Sequence, residues 1–479
     1  MPTSRRSWAL LAVALATFMT YLDNNIVNVA IPAIQRDLHL TTSGLEWVVS
    51  SYVLVFAGLL LVGGRLADAF GRRRLFLLGL AVFTGASLVA GLAGSVDVLI
   101  AARAVQGLGA ALVTPTTLAI ISHAYPDPRE RTAAVGIWAG VGGLALAVGP
   151  LLGGLLSEHA TWGWIFTINV PVGLATLLLG AWAVTESREA ERRPLDLPGL
   201  GLSGAALTAL TWALIEGGSR GWTSAPILAA FAVAAAAGSA FVLVEQRAAA
   251  PMVDVALFRV RAFSGGIAAM MLWAFGLFGI YFFTSLYLQD VLGFSPTEAG
   301  LAFLPMALCM VAGAVLSERL ARVVGTARLV GVAMVLMAVG IGTVSLLGAG
   351  TGYLALMPSF VTIGVGGGLV TPLTATVLGV MPSQQAGVAS GVFNASREVA
   401  GLLGITVIGA VLTARQSAAL RTGAAPLDAF LSGYRLGLLG AAALVALGGL
   451  AAFLALRGTS RAESEDLVAG EPPVLVAAG

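Results

Sequence analysis

The sequence predicts an all-α polytopic membrane protein with fourteen transmembrane helices. Charge is the first reason. Only 10% of its 479 residues are charged and 58% are hydrophobic, with a mean hydropathy of +0.93; a soluble globular protein carries about 25% charge. A chain this long could bury a large core and would still need a polar shell, so the solvent around most of its surface is lipid. Run length is the second reason. Apolar stretches of about 20 residues recur along nearly the whole chain, each long enough to cross a hydrocarbon core of about 30 Å as a helix. The sequence lacks the alternating strands of a membrane barrel.

The spans fall at approximately 8–31, 45–66, 75–94, 98–121, 133–156, 164–184, 197–216, 225–244, 263–288, 297–316, 325–348, 352–377, 393–414 and 434–456. Arg5 and Arg6 precede the first apolar stretch, as in a signal peptide. That stretch carries Asp23, Asn24, Asn25 and Asn28 and no clean small-residue cleavage site, so it is read as a retained helix. The pair 197–216 and 225–244 is long and nearly charge-free and counts as two full crossings.

Arginine gives the spans a direction. Every basic residue is an arginine. With the N-terminus inside, 20 of the 26 fall in inner segments, five in outer segments, and Arg103 within a span. Short loops rich in arginine stay cytoplasmic, so both termini are expected inside a bacterial inner membrane. The segment 457–479 is expected to be a disordered cytoplasmic tail. The longest polar connections, 186–196, 245–262 and 415–433, are too short to house a soluble enzyme.

Two stretches recur at nearly equal offsets. Gly109-Ala-Ala-Leu-Val-Thr-Pro-Thr-Thr117 in the fourth span echoes Gly366-Gly-Gly-Leu-Val-Thr-Pro-Leu-Thr374 in the twelfth. Gly64-Arg-Leu-Ala-Asp-Ala-Phe-Gly71 echoes Ser317-Glu-Arg-Leu-Ala-Arg-Val-Val-Gly325. Duplicated halves around a central pathway are how many secondary transporters are built. The expected organisation is a short N-terminal segment 1–7, a six-helix half 8–184, a linker 185–262 with the two extra helices, and a second six-helix half 263–456.

Asp23 lies about midway along the first span. A carboxylate there faces protein or a water-filled cavity, which makes it a candidate proton or cation carrier; the alternative is a packing group satisfied by Asn24 and Asn25. Arg103, in the outer part of the fourth span, either snorkels to the interface or biases Asp23. In the second inner turn, Asp68 is placed to brace a helix start, Arg65, Arg72, Arg73 and Arg74 to pair across a helix interface, and Gly64 and Gly71 to permit the turn. This group reads as a conformational latch. Gly149, Pro150, Gly153 and Gly154 make the fifth span slim and kinkable, as a gate or as ordinary close packing. Glu46 and Glu216 sit near outer helix ends and Asp97 in an outer turn, where interfacial solvation accounts for all three. Arg397 and Glu398, at the inner start of the thirteenth span, pair or serve a gate, or simply belong to the interface.

Other chemistries find little support. The glycines of the fifth span have no strand before them, so they are no dinucleotide fingerprint. There is no Walker-type loop, so transport energy is expected from an ion gradient. One cysteine, Cys309, and three scattered histidines, His39, His123 and His159, give no disulfide, metal site or catalytic set. A net charge of +2 offers no footprint for nucleic acid.

These motifs resemble the major facilitator superfamily, in its fourteen-helix drug:proton antiporter branch, over roughly residues 8–456. The loop motif is similar to Gly64-Arg-Leu-Ala-Asp-Ala-Phe-Gly-Arg-Arg73, the fourth-span motif to Arg103-Ala-Val-Gln-Gly-Leu-Gly-Ala110, the antiporter motif to Gly149-Pro-Leu-Leu-Gly-Gly154, and the first-span motif to Leu22-Asp-Asn-Asn-Ile-Val-Asn-Val-Ala-Ile-Pro32. The resemblance implies a major facilitator fold, two six-helix halves plus two central extra helices. It implies proton-coupled export of lipophilic drugs or antibiotics by alternating access, without an enzyme activity, metal or cofactor. Asp23 and Arg103 would couple protons, Asp68 would act in the loop switch, and Gly149–Gly154 would form the gate. A broad apolar cavity with Met, Phe and Trp from spans such as 270–287 would hold the cargo. Asn25 stands where the branch carries a hydroxyl, and Arg322 stands where the first half has Asp68; both departures leave local tuning open. The partners expected are a lipophilic small molecule, protons and the bilayer, with a monomer sufficient. A proton-driven importer or metabolite permease of the same fold, and a non-transporting membrane regulator, are the competing readings.

Overall fold

The computed structural model describes residues 3–188, 196–248, 251–379, 381 and 386–457. The tail beyond 457, expected to be disordered, lies outside them. Fourteen helices long and apolar enough to span a membrane run through the described residues. They are α1 (Thr3–Leu38), α2 (Thr42–Phe70), α3 (Arg72–Gly91), α4 (Val96–Ala124), α5 (Pro128–His159) and α6, in two pieces (Trp164–Thr167 and Asn169–Ala183). Next come α7 (Leu197–Arg220), α8 (Ala225–Glu245) and α9 (Arg261–Leu286, running on as a π turn Tyr287–Val291). The last are α10 (Pro296–Val324), α11 (Thr326–Ser345), α12, in two pieces (Tyr353–Leu369 and Pro372–Gly379), α13 (Ala386–Arg421) and α14 (Pro426–Ala455).

Helix starts follow local chemistry. Thr41, Ser95 and Asp127 each accept a hydrogen bond from the first turn of α2, α4 and α5, and Ser295 with Glu298 forms a capping box on α10. Two turns need glycine. Gly71 ends α2 at φ +111° and Gly325 ends α10 at φ +84°, in the two loops whose sequences echo each other. Both are left-handed positions that a Cβ disfavours.

The helices outrun the apolar stretches. α1 and α13 each contain 36 residues, about 54 Å at about 1.5 Å per residue. Counting apolar residues finds the part in hydrocarbon and misses the polar turns that continue beyond it. One consequence is a correction. Arg397 and Glu398 are not at the start of their helix, because α13 begins at Ala386, three turns earlier. A second concerns the echo. α4 continues through Pro115, whereas α12 breaks at Val370 and Thr371 and restarts at Pro372.

The duplication is visible in packing. In the first half α2 packs on α4, α3 on α4, α1 on α5, α1 on α6 and α3 on α6. The equivalent pairs in the second half are α10 on α12, α11 on α12, α9 on α13, α9 on α14 and α11 on α14. The halves meet through α5 with α10 and α2 with α13, contacts that exchange under the same correspondence. The extra helices stand outside this plan. α7 packs on both α2 and α13, and α8 packs mainly on α7. The remaining surface is apolar: Leu354 is 81% exposed and Val323 82%, as a lipid-facing surface requires.

Glycine lets these helices approach to backbone contact. A Cβ built on Gly109 of α4 would lie 2.7 Å from the Phe83 nitrogen and 2.8 Å from the Gly79 carbonyl oxygen of α3. Gly109→Leu is therefore expected to lower stability by roughly 1–3 kcal/mol through overpacking, read as a reduced melting temperature of the detergent-purified protein. An unchanged melting temperature contradicts this packing.

Candidate functional site: a buried ion pair and a cavity between the halves

Asp23 and Arg103 meet in the interior of the first half. Both side chains are fully buried and form an ion pair. Arg103 therefore does not snorkel. The other Asp23 oxygen accepts from Gln106 Nε2 at 3.1 Å and Asn169 Nδ2 at 3.0 Å. Gln106 also donates to the Ser87 hydroxyl at 2.8 Å and accepts from Arg103 at 3.1 Å. Arg103 Nε donates to the Val48 carbonyl at 3.3 Å, and the guanidinium lies 4.3 Å from the Tyr52 ring centre and 5.5 Å from that of Phe166. The Arg103 Nη2 group has no hydrogen-bond partner, and the cation–π contacts with these rings accompany the guanidinium.

Asn24 and Asn25 are not the partners of Asp23. Asn25 Nδ2 donates to the Tyr21 carbonyl at 2.8 Å, and Asn28 Nδ2 reaches the Asn24 carbonyl at 3.5 Å. Successive residues on a helix point in different directions, so neighbours in sequence cannot converge on one carboxylate. Asn169, Ser87 and Gln106 converge instead. Asn169 had one sequence signal, a lone amide in the apolar run of α6; Ser87 had none.

In the loop after α2, Asp68 does not cap α3. It lies in the last turn of α2 and accepts from Arg72 Nη2 at 2.9 Å and Nε at 3.1 Å. The N-cap of α3 is Gly71, which has no side chain to offer, and the Glu186 carboxylate takes the first-turn N–H instead. Arg73 bonds the end of α6 and the segment after it: its backbone N–H donates to Glu186 Oε1 at 3.1 Å and its guanidinium to the Ala181 carbonyl at 2.6 Å. Arg65 donates to the Pro251 carbonyl ahead of α9. The loop thus ties α2 and α3 to α6 and to the chain entering the second half. Gly64 lies beside Pro115 of α4, and a Cβ on Gly71 would meet the Glu186 carboxylate at 2.6 Å.

Gly149, Pro150, Gly153 and Gly154 lie in α5 where it crosses α1 and α10. Cβ atoms on Gly149 and Gly153 would press on Asn25 and Ile26 of α1. One on Gly154 would overlap the Pro296 carbonyl of α10, and one on Gly300 would overlap the Pro150 carbonyl. The Thr297 N–H donates to Glu158 Oε2 at 2.9 Å, and Gln289 Nε2 donates to the Val29 carbonyl at 2.8 Å. These contacts join the halves at the end opposite the arginine-rich loops.

Toward the arginine-rich end the halves part around a cavity of about 470 Å³. It runs from Asp68 and Arg72 to Tyr21, Trp138, Arg397 and Glu398. The aromatic stretch 270–287 contributes none of its lining. Phe275, Tyr281, Phe282 and Phe283 are buried instead, because α9 packs against α13 and α14. Arg397 donates to Glu398 Oε1 at 2.6 and 3.1 Å, so this pair forms within the span and not at an interface. Glu46 also departs from the sequence reading. It is 2% exposed and lies against Gly409 of α13, because a neighbouring helix covers what looked like a solvated helix end. Glu216 accepts from Trp47 at 3.1 Å and Arg220 at 3.2 Å, and Asp97 is exposed as expected.

This arrangement matches known proteins along most of its length. The profile of the Major Facilitator Superfamily matches residues 13–405. The chain belongs to the Major Facilitator Superfamily. It is similar to a tetracenomycin C resistance and export protein of Streptomyces glaucescens, at 38% identity over 86% of this chain and 77% of the relative. It is also similar to a puromycin resistance protein of Streptomyces alboniger, at 35% over 97% and 94%, and to a multidrug efflux pump of Mycolicibacterium smegmatis, at 36% over 86% and 82%. Among solved structures, a bacterial homolog of the human lysosomal transporter Spinster superposes with a TM-score of 0.69 at 17% identity, covering 96% of this chain and 98% of that one. The peptide-transporter-family protein PepTSo superposes with a TM-score of 0.70 at 15% identity, covering 95% and 98%. Like other superfamily members, this multi-pass membrane protein is a secondary transporter and not an enzyme.

Burial makes the ion pair sensitive to loss of either member. Arg103→Leu, which leaves Asp23 without its cation, is expected to cost about 3–5 kcal/mol. Adding Asp23→Leu should recover most of that loss, because two apolar groups replace two opposed charges. Thermal melts of the two single variants and the double variant check this; additive losses contradict a direct pairing.

Proposed function

We propose that this protein is a proton-coupled antiporter that exports lipophilic drugs or antibiotics by alternating access. Its relatives support the cargo class, being antibiotic-resistance and multidrug-efflux proteins. The single observation that carries the coupling is the buried Asp23–Arg103 pair with its Gln106 and Asn169 hydrogen bonds. An ionised carboxylate only accepts, whereas a protonated one must place an O–H. Protonation of Asp23 therefore removes its charge attraction to Arg103 and disturbs the donors crowded around it. Those donors belong to different helices, so the disturbance reaches the packing of the whole half.

In this reading the arginine-rich end, and with it both termini, is cytoplasmic. The cavity then loads cargo from the cytosol or inner leaflet while the α5–α10 contact keeps the outer end closed. Gly149, Pro150, Gly153 and Gly154 form the outer gate, since side chains there would hold the helices apart. Gly64, Arg65, Asp68, Gly71, Arg72 and Arg73 form the inner latch. Asn24, Asn25 and Asn28 shape the neighbouring face of α1. The halves are 8–184 and 263–456, with 185–262 inserted between them. The proton gradient supplies the energy, and one chain contains all these parts.

Transport in proteoliposomes with an imposed pH gradient tests the reading. Wild-type protein should move a lipophilic cargo against its gradient while protons flow the other way. Asp23→Asn keeps the side chain's shape and leaves Arg103 without its counter-charge, so it should melt lower but remain folded, and lose pH-driven transport by at least an order of magnitude. Unchanged gradient-driven antiport in Asp23→Asn would sink the coupling assignment, and accumulation on the opposite side would identify an importer.

A further inference from the structure

The cavity presents polar groups that the protein itself does not satisfy. Glu398 is 3% exposed and receives both Arg397 bonds through Oε1, while its Oε2 has no hydrogen-bond partner. Trp138 Nε1 on α5 and Thr114 Oγ1 on α4 are also buried and unpartnered. All three residues line the same cavity, and they come from both halves. Buried polar groups are usually paired, and leaving one unpaired is costly. A carboxylate oxygen, an indole N–H and a hydroxyl stand without partners beside apolar side chains such as Leu60, Leu118 and Met252, the combination of a small-molecule site.

The chemistry of the open groups selects the ligand. Arg397 donates two of its five N–H groups, through Nε and Nη2, to the Glu398 Oε1 atom. The buried atom of the pair that has no partner is an acceptor, Glu398 Oε2. At the arginine-rich mouth, Arg72 and Asp68 bond each other, and Arg65 bonds the Pro251 carbonyl. The rings of Tyr21, Phe56 and Trp138 also line the cavity, and aromatic faces attract cations. We propose that Glu398 Oε2 receives the protonated amine of an amphiphilic cargo. Trp138 Nε1 and the Thr114 hydroxyl hold a carbonyl or ether oxygen of the same molecule. The inference rests on the export reading only for calling the ligand a cargo, so a binding measurement tests it separately.

The probe is propranolol, a lipophilic amine with an ether oxygen, compared with its neutral N-acetyl derivative. Binding is measured by titration calorimetry on the full chain in lipid nanodiscs at neutral pH. A hydrogen bond to a charged group amounts to about tenfold or more in affinity, so wild-type protein should prefer the amine by about that factor. Glu398→Gln should abolish the preference and Glu398→Asp should retain it. Trp138→Phe, which keeps the ring and removes the N–H, should weaken both ligands several-fold and leave the preference intact. Equal binding of both ligands to wild-type protein, binding of neither, or a preference that survives in monodisperse Glu398→Gln overturns the amine site. Undiminished affinity in Trp138→Phe overturns the second contact. A wild-type amine preference in a protein that shows no pH-driven transport would count against the export reading alone.

Discussion

A carboxylate and a guanidinium enclosed between membrane helices must satisfy each other, because neither lipid nor bulk water is there to do so. Asp23 and Arg103 do this at the point where five of the six helices of the first half converge. Asp23 belongs to α1 and Arg103 with Gln106 to α4. Ser87 brings in α3, Asn169 brings in α6, and the Val48 carbonyl brings in α2. Changing the charge of one member therefore alters the constraints on nearly the whole half. In a low-dielectric interior that charge is also felt more strongly than at a surface.

The sixth helix, α5, is held differently. It reaches α1 and α10 through glycines and one proline, with backbone against backbone. Small residues allow close approach without interlocking side chains, which suits a surface that must part and re-form. The two kinds of contact divide the work. A polar network ties the first half together, and a smooth seam of small residues joins it to its partner; in the proposed mechanism the first senses the proton and the second lets the halves move. Of the extra helices, α7 packs beside the α2–α13 contact and α8 packs on α7, leaving the repeat between the halves unbroken.

The helix count and the duplication were legible in the sequence because both are written in composition: apolar runs, arginine-rich turns, and Leu-Val-Thr-Pro at matching places in two spans. That Asp23 and Arg103 stand apart was legible because charge in such runs is rare, and the structure places them together as a buried pair. Their partners were not. Nothing local distinguishes Ser87 from any other small polar residue in a membrane helix, and Asn169 stands out only once α6 is brought beside α1. Asn24 and Asn25 attracted attention by adjacency, yet helical geometry points them elsewhere. Glu46 and Glu398 were misplaced for one shared reason. Helix ends were judged from hydropathy, and hydropathy does not report the polar turns that extend α13 or the neighbouring helix that covers α2. The cavity was the least legible feature, since it is made by the gap between halves and not by any one aromatic-rich span.

The central claim is that the protonation state of Asp23 sets which end of the transporter is closed. Pulsed electron resonance distances between spin labels at Ala160 on the α5 side and Leu301 on α10, in a Cys309→Ser background, report opening of the outer seam directly. The account predicts that the wild-type distance distribution shifts between closed and open populations as pH is varied, and that Asp23→Asn holds one population at every pH. A pH-dependent shift of the same size and midpoint in Asp23→Asn would contradict it.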